Sequence, residues 1–343
     1  MNIKKISTAG IAMSVIWTTP VVAADVSSFY QGKTFDVMVA APPGGGFTAY
    51  ARTIAKHMVK HIPGKPTIVV KNMPGSGGRK AVSYLYNVAP KNGLTILGAQ
   101  PGTLVEPVLG QKSNAKFDAM KFEYLGSASG FTTLCLIRSN GPVKSFAEMQ
   151  TKQAVFGGDT FGSTTYDHTQ LMRNLAGANI KLIKGYRGTK NLVLAIQQGE
   201  IDGFCGYAWA SLMSRAPHLI EDKKVNVLVQ FGLQKHPEMT RRCIPQVWDF
   251  IKDNNKKKAM ELFANVQVFG RPYIAPPNVP KDRVAALQKA FADTMNDPAF
   301  GSDLKKRRLV LDPTSGPRVK ELIAAIYNAP AEVQKMARWA LTN

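Results

Sequence analysis

Short apolar strands that end in a glycine-rich turn and lead into an amphipathic helix are the feature that most limits the fold of this sequence. The first unit has a predicted strand at residues 35–40, a breaker of two prolines and three glycines at 42–46, and a predicted helix at 48–62. Further strands are predicted at 67–70 and 94–97. Strands that alternate with helices predict parallel pairing in a sheet covered on both faces.

A second α/β unit is predicted after residue 125, where the same pattern starts again. Its strands are predicted at residues 134–137, 154–156, 180–183, 201–204 and 225–231, and its helices at 164–177 and 189–199. A further apolar strand is predicted at residues 266–269. From residue 280 onward the pattern is mostly helical. We therefore predict a first domain of residues 25–126 with 233–343 and a second domain of residues 127–232, connected near 125–128 and 230–233.

The first 24 residues have the layout of a secretory signal peptide. Lys4 and Lys5 precede an apolar stretch at 11–22, and the small residues Ala23 and Ala24 suit a cleavage site. A retained membrane anchor is the alternative, but the apolar stretch is too short to span a bilayer as a helix. We therefore expect removal of this segment and a periplasmic mature chain.

The chain is strongly basic. Removing residues 1–24 takes away two lysines and no acid, so a formal net charge of +21 becomes +19. The summed positive field would attract anionic solutes, and a solvated basic surface is the alternative. No nucleic-acid-binding motif accompanies the scattered basic residues, so no nucleic-acid partner is expected.

The first loop, residues 44–48, lies between the carboxyl end of a predicted strand and the start of a helix. Ligands of open α/β sheets bind at such carboxyl ends. Glycines allow close approach of the backbone, and a helix start offers free N–H groups to an anion. The candidate binding residues of this loop are Gly45, Gly46, Phe47 and Thr48.

The second loop, residues 157–165, occupies the corresponding place in the second unit. Serine and threonine supply hydroxyl donors there, and each also caps a helix well. Capping accounts for one hydroxyl but not for three in succession after a glycine. The candidate binding residues of this loop are Phe161, Gly162, Ser163, Thr164 and Thr165.

Motifs for catalysis, nucleotides or metals are missing from the sequence. Neither GxxxxGK[ST] nor a GxGxxG at the first strand occurs, and GxSxG and HExxH are also absent. His57 and His61 share a helical face, but we expect solvated histidines with no carboxylate positioned nearby. No cofactor and no metal are expected.

Cys135, Cys205 and Cys243 are the three cysteines. Export permits a disulfide. Three cysteines allow three single pairings and leave one thiol over, so the pairing stays open at this point.

Eight segments, in order, resemble the Bug-type solute-binding receptors of tripartite tricarboxylate transporters. They are PGGG at 43–46 leading to Ala51-Arg52, NMPGSGG at 72–78, APKNGLT at 89–95, GSTT at 162–165, GYRG at 185–188, GEID at 199–202, APPNVP at 275–280 and NDP at 296–298. The resemblance covers nearly all of the mature chain.

The resemblance implies a type II periplasmic-binding fold of two α/β domains with a hinge and a ligand cleft between them. It implies capture of a small carboxylate, a di- or tricarboxylate or an aromatic acid, for one large and one small membrane subunit. No chemistry on the solute is implied, so an enzyme is not expected. Receptors that open and close are usually monomers, and a monomer is expected here.

The carboxylate is expected on the N–H groups of residues 45–48 and on the hydroxyls of Ser163 and Thr165. Further candidates for the wall of the site are Tyr186, Asp202 and Tyr207. Thr48 stands where the family commonly has an acidic residue, which makes an amino-acid solute a weaker candidate.

Two other functions are compatible with the same fold. A sensory receptor would present its solute to a signalling kinase, and neighbouring transporter genes would separate the two roles. A transferase would need a nucleophile, a general base or a cofactor anchor, and no such constellation is visible.

Overall fold

The structure, a computed structural model, describes residues 26–110 and 115–343. The predicted signal peptide, residues 1–24, lies outside these residues. Within the described ranges, no helix combines the length and the apolar character needed to cross a bilayer.

Strands and helices alternate along most of the described chain. The strands are β1 (Thr34–Val39), β2 (Thr67–Asn72), β3 (Thr95–Gly98), β4 (Glu123–Ser127), β5 (Thr133–Arg138), β6 (Ala154–Gly158), β7 (Ile180–Lys184), β8 (Gly203–Ala208), β9 (Val225–Phe231), β10 (Pro272–Ala275) and β11 (Thr314–Ser315). The helices are α1 (Val26–Tyr30), α2 (Gly46–Met58), α3 (Arg79–Asn87), α4 (Pro101–Leu109), α5 (Phe146–Met149), α6 (Thr164–Asn174), α7 (Gly188–Gln198), α8 (Trp209–Arg215), α9 (His218–Glu221), α10 (Pro237–Arg241), α11 (Asn254–Val268), α12 (Lys281–Met295), α13 (Pro298–Lys306), α14 (Gly316–Tyr327) and α15 (Ala331–Thr342).

Two separate sheets form the framework. The first has the strand order β11-β4-β10-β3-β1-β2, and the second has the order β7-β6-β8-β5-β9. The second sheet takes its strands from one continuous segment, whereas the first combines strands from both ends of the chain. The predicted α/β class and the two-unit organisation are therefore confirmed.

The prediction of parallel pairing is wrong for part of each sheet. In the first sheet β1 pairs in parallel with β2 and β3, but β10 runs antiparallel to both β3 and β4. In the second sheet β6 is parallel to β7 and β8, but β5 is antiparallel to β8 and β9. Strand β10 follows the second sheet in sequence and enters the first sheet from the opposite end, so its amino end lies at the edge where β1 and β3 end.

Local sequence explains the first strand and helix. Phe35, Val37 and Val39 on β1 are fully buried on one face and Met38 is buried on the other, as expected for a strand covered on both faces. Helix α2 places the buried Tyr50 and Ile54 on the face that packs against the first sheet. The helix begins at the glycines rather than at Thr48, where the sequence placed its start, and this brings its first turn into the first loop.

Two predicted strands need correction. The apolar residues 266–269 form no strand, because they belong to the last turn of α11 and the residue after it. A short apolar run cannot be assigned by periodicity alone, and here it is the buried end of a helix. The strand predicted at 201–204 begins only at Gly203 and continues to Ala208.

The C-terminal helix α15 connects the two sheet units. It packs against α4 and α11 and also against α6, which covers the second sheet. The carbonyl of Leu341 accepts hydrogen bonds from Tyr166 and Gln170 on α6, both at 3.4 Å, and the carbonyl of Ala340 accepts one from Asn174 at 2.7 Å. This helix therefore contacts both units.

A disulfide joins Cys135 on β5 to Cys205 on β8. These strands are antiparallel neighbours, and the two cysteines lie opposite each other in the register. Cys243 is free and exposed. Of the three pairings that the sequence left open, the sheet register selects this one.

Candidate functional site

A cavity lies between the two sheets, at the edge where the parallel strands end. Its walls come from the segments that follow β1, β3, β6, β7 and β8 and from the segments that precede the antiparallel strands β5 and β10. Ligand sites of α/β folds occur at this edge.

The first loop contributes the start of α2 to the cavity. Gly45 is the N-cap residue of this helix, and no side chain caps the first turn. Backbone N–H groups at an uncapped helix start can bind an anion. A Cβ atom on Gly46 would overlap the hydroxyl oxygen of Ser211 and would lie 3.2 Å from Nη2 of Arg271, so only glycine fits this packing.

The second loop is held by its own hydroxyl groups. The Ser163 hydroxyl donates to the Thr160 carbonyl at 2.6 Å and accepts from the Tyr166 N–H at 3.3 Å, which caps α6. The Thr165 hydroxyl accepts from the Asp159 N–H at 3.3 Å. Both hydroxyl groups line the cavity, but each already has protein partners.

The mouth of the cavity is formed where the two units touch. A Cβ atom on Gly188 would lie 2.8 Å from Cγ of Pro42, and one on Gly45 would lie 3.8 Å from Oγ1 of Thr189. The Gly188 N–H also donates to the Asp159 carboxylate at 3.1 Å. Burial raises the pKa of this carboxyl, and the bond from Gly188 opposes the rise.

Three cationic side chains line the cavity. Arg187 and Lys190 are exposed, whereas Arg271 is buried, with 5% of its surface exposed. Sequence analysis did not name these three residues as solute contacts. Arg271 precedes an antiparallel strand, and no motif marks it as a site residue.

Seven of the twelve candidate residues meet in this cavity. They are Gly45, Gly46, Phe47, Ser163, Thr164, Thr165 and Tyr207. Phe131 also lines it. The other five candidates, Thr48, Phe161, Gly162, Tyr186 and Asp202, lie outside the lining.

Thr48 and Asp202 hold neighbouring backbone in place instead. The Thr48 hydroxyl donates to the Pro42 carbonyl at 3.2 Å and accepts from the Asn72 amide at 2.9 Å, which ties the first loop to β2. The Asp202 carboxylate accepts from Arg138 at 2.8 Å and, through its other oxygen, from the Val155 N–H at 2.8 Å. These contacts occupy the Thr48 hydroxyl and the Asp202 carboxylate, whereas the sequence prediction placed the solute on the Thr48 N–H group and gave Asp202 a place in the wall.

Phe161, Gly162 and Tyr186 do not line the cavity and contact other residues. Phe161 packs beside Tyr166 with ring centres 6.0 Å apart. The N–H group of Gly162 donates to Asp167 at 2.9 Å, and the Tyr186 hydroxyl donates to Glu200 at 3.3 Å.

A buried acidic pair lies behind the second loop. Burial raises the pKa of Asp167 to about 8, the Gly162 N–H opposes the rise, and the nearby Glu106 carboxylate adds to it. Burial also raises the pKa of Glu106, although Arg79 pairs with it at 2.6 Å. Asp167 lies on α6 and Glu106 on α4, so the two acids face each other where these helices approach.

His57 and His61 are not solvated, contrary to the sequence prediction. His57 lies 3.1 Å from Asp303 and 3.6 Å from Asp297, and His61 lies 3.6 Å from Asp297. Both acids come from the distant helix α13 and the residue before it, so their approach could not be inferred from neighbouring sequence. Lys60 also pairs with Asp297. The described residues contain no group of side chains arranged to hold a metal ion.

A sequence model for the receptors of tripartite tricarboxylate transporters matches residues 50–325. The chain belongs to this receptor family. The family is one of solute-binding receptors rather than of enzymes. A relative from a Pseudomonas species, the UPF0065 protein of the tcbD–tcbE intergenic region, is 25% identical over 238 residues, which cover 67% of each chain.

Solved structures share the fold of this receptor. MatC from Rhodopseudomonas palustris with bound malate superposes with a TM-score of 0.67 at 19% identity, covering 90% of this chain and 99% of MatC. An adipate-bound protein of R. palustris superposes with a TM-score of 0.69 at 18% identity, covering 89% of this chain and 97% of that protein. The periplasmic binding protein BugD superposes with a TM-score of 0.67 at 19% identity, covering 90% of this chain and 97% of BugD. These similarities confirm the predicted two-domain periplasmic-binding fold.

Proposed function

We propose that this receptor captures a small organic carboxylate outside the cytoplasm and delivers it to the large and small membrane subunits of a tripartite transporter. In this proposal residues 1–24 direct export and are removed. The receptor binds the solute and performs no chemistry on it.

The observation that carries the proposal is the composition of the cavity. It combines the uncapped start of α2, a set of buried hydroxyl groups and three cations against a single lining carboxylate. That carboxylate, Asp159, already accepts a bond from Gly188. An anion is the solute that such a wall stabilises. The malate and adipate held by structural neighbours are carboxylates of the same size class.

We assign the solute contacts to the residues that line the cavity from both units. The N–H groups of residues 45–47 bind the anion from one side, and Ser163, Thr164 and Thr165 face it from the other. Tyr207 forms part of the wall between them. Desolvation between the units strengthens each of these hydrogen bonds.

Closure is proposed to occur about the two connections near residues 125–128 and 230–233. The first domain then comprises residues 25–126 with 233–343, and the second comprises residues 127–232. Contacts between Gly188 and Pro42 at the mouth belong to the closed arrangement. Solute binding shifts the population toward this state, because only the closed state contacts the solute from both sides.

The disulfide supports the extracytoplasmic location, since such bonds persist in oxidising compartments. The net charge of +19 after residues 1–24 are removed raises the local concentration of anionic solutes.

A thermal-shift screen tests the proposal. The mature protein is melted with mono-, di- and tricarboxylates, including malate and adipate, with aromatic acids, amino acids, phosphate and amines. A ligand that binds only the folded state raises stability by about 2.7 kcal/mol at a hundredfold excess over Kd, which is a shift of a few degrees. A shift with one class of carboxylates is expected. Shifts with phosphate or amines and with no carboxylate would overturn the assignment.

Delivery to a transporter is tested in cells. Uptake of the identified acid should be lost when either this chain or the membrane subunits are deleted. Uptake that persists after this chain is deleted would overturn delivery and favour the sensory-receptor alternative.

A further inference from the structure

Arg271 places a guanidinium group in the cavity within a cluster of aromatic rings. Its central carbon lies 4.3 Å from the ring centre of Phe47, 5.0 Å from that of Phe131 and 5.2 Å from that of Tyr50. Phe47 belongs to the first loop, and Phe131 lies in the segment that connects β4 of the first sheet to β5 of the second. The rings shield the cation from water on several sides.

The hydrogen bonds of Arg271 leave part of its donor capacity unused. Nη1 donates to the Gly270 carbonyl at 3.2 Å, and Nη2 donates to the Ser211 hydroxyl at 3.1 Å. Nε is buried and has no hydrogen-bond partner. A guanidinium group has five N–H donors, and both acceptors here are neutral.

Within residues 26–110 and 115–343, no carboxylate forms an ion pair with Arg271. Burial lowers the pKa of Arg271, but arginine remains protonated at neutral pH. Cation–π contacts offset only part of the cost of burying a charge. The closed cavity therefore holds a desolvated cation whose negative partner is not supplied by the described chain.

We infer that Arg271 is the direct counter-ion of the bound solute and selects for an ionised carboxylate. This inference rests on the proposed carboxylate-receptor function. A guanidinium group and a carboxylate match as two parallel N–H···O bonds, and the hydrogen bonds of Arg271 leave further N–H groups without an acceptor. A neutral amide of the same shape would leave the cation uncompensated and is rejected.

The inference predicts opposite effects on the empty and the loaded protein. Arg271→Met keeps a long side chain for the three rings and removes the buried charge, so the empty variant should melt at the same or a higher temperature. The same variant should bind carboxylates at least about a hundredfold more weakly. A structural arginine would lower the melting temperature on removal and leave affinity unchanged.

Arg283 is a matched control outside the cavity. Its guanidinium carbon lies 3.5 Å from the ring centre of Phe29, and Nη1 donates to the Asn92 carbonyl at 2.8 Å. Arg283→Met should lower the melting temperature and leave carboxylate affinity unchanged. Arg271→Lys keeps the charge but loses the planar fork, so it should retain binding with a loss of about tenfold.

The experiment is calorimetric titration and thermal melting of wild type and the three variants with malate, adipate and any further carboxylate that shifts the wild type in the screen. If Arg271→Met binds these acids within about threefold of wild type, the inference is overturned while the proposed function stands. If Arg271→Met does not fold, Arg271→Lys decides: a loss of about tenfold in a variant that melts like wild type supports the inference, and affinity within about threefold of wild type overturns it. If wild type binds no carboxylate, the proposed function itself fails.

Discussion

The two loops that meet at the cavity resemble each other in sequence position but differ in the state of their helix starts. Helix α2 begins at glycines, and no side chain caps it. Helix α6 begins after Ser163, whose hydroxyl caps it, and Thr165 accepts from the backbone of its own loop. The first loop therefore offers open donors to an anion, whereas the second is largely self-satisfied. A helix start binds an external anion only while its donors are free.

Among the loop variants, the largest loss of affinity is expected when a methyl group is added at Gly46, at the start of α2. Gly46→Ala places a methyl group against the Ser211 hydroxyl, which must rotate away from Arg271. Because both the space and the hydrogen-bond network are changed, we expect a roughly hundredfold loss of carboxylate affinity by calorimetry.

The neighbouring glycine supplies the control for this variant. A Cβ atom on Gly45 would meet only Oγ1 of Thr189, at an ordinary distance of 3.8 Å. Gly45→Ala should therefore keep affinity within about threefold of wild type. Equal losses of affinity in both variants would show that the flexibility of glycine matters at the first loop, and not the absence of a Cβ atom beside Ser211.

Removing the hydroxyl groups of the second loop should have a smaller but clear effect. Ser163→Ala with Thr165→Ala removes two cavity hydroxyls and the cap of α6, so affinity should fall by about tenfold or more and the melting temperature should fall as well. Titration calorimetry and thermal melting separate the two effects. Unchanged affinity would remove the second loop from the solute site.

Disturbing the contact between Gly188 and Pro42 at the mouth of the cavity should weaken carboxylate binding by a few fold. Gly188 has a φ of 79° and faces Pro42, so Gly188→Ala adds backbone strain and a clash between the units. Gly199 has a φ of 76° with nothing within 4 Å of its Cβ position, so Gly199→Ala adds the strain without the clash. Only the first variant should weaken binding, by about threefold to tenfold, and a matching loss in both would argue against closure at this point.

The last expected effect is on stability rather than on affinity, and it depends on pH. Because burial raises the pKa of Asp167 from 3.8 to about 8, the folded state binds more protons than the unfolded state between these values. The free energy of unfolding should therefore fall as pH rises through this window. Asp167→Asn can still accept from Gly162 and has no charge beside Glu106, so its advantage over wild type should be small at about pH 5 and largest above about pH 8. A stability difference between Asp167→Asn and wild type that is the same at every pH would contradict this prediction.

His168 has the opposite effect on the free energy of unfolding at lower pH. Burial lowers the pKa of His168 to about 3, so the folded state binds fewer protons than the unfolded state between about pH 3 and pH 6.5. The Asp167→Asn comparison is therefore made against wild type at each pH, because this contribution is common to both proteins.

Much of the framework could be predicted from local sequence. Buried strands and amphipathic helices follow directly from the spacing of apolar residues such as Phe35, Val37 and Ile54. The positions of both loops at the ends of parallel strands follow from the strand–turn–helix order, and seven candidate residues meet in the cavity for this reason. The antiparallel strand β10 could not be predicted, because local patterns do not encode the direction in which a returning chain enters a sheet.

The sequence by itself determined the α/β class, the two units and the loops that face the cavity, because these depend on residues close together in the chain. Only the tertiary structure decided which cations, acids and cysteines meet. Arg271 reaches Ser211 across 60 residues of sequence, His57 reaches Asp303 across 246, and Cys135 pairs with Cys205 across 70. Such contacts depend on strand direction and register. The antiparallel entry of β10 brings Arg271 to the same edge as the glycine loop, where its buried charge acquires a function.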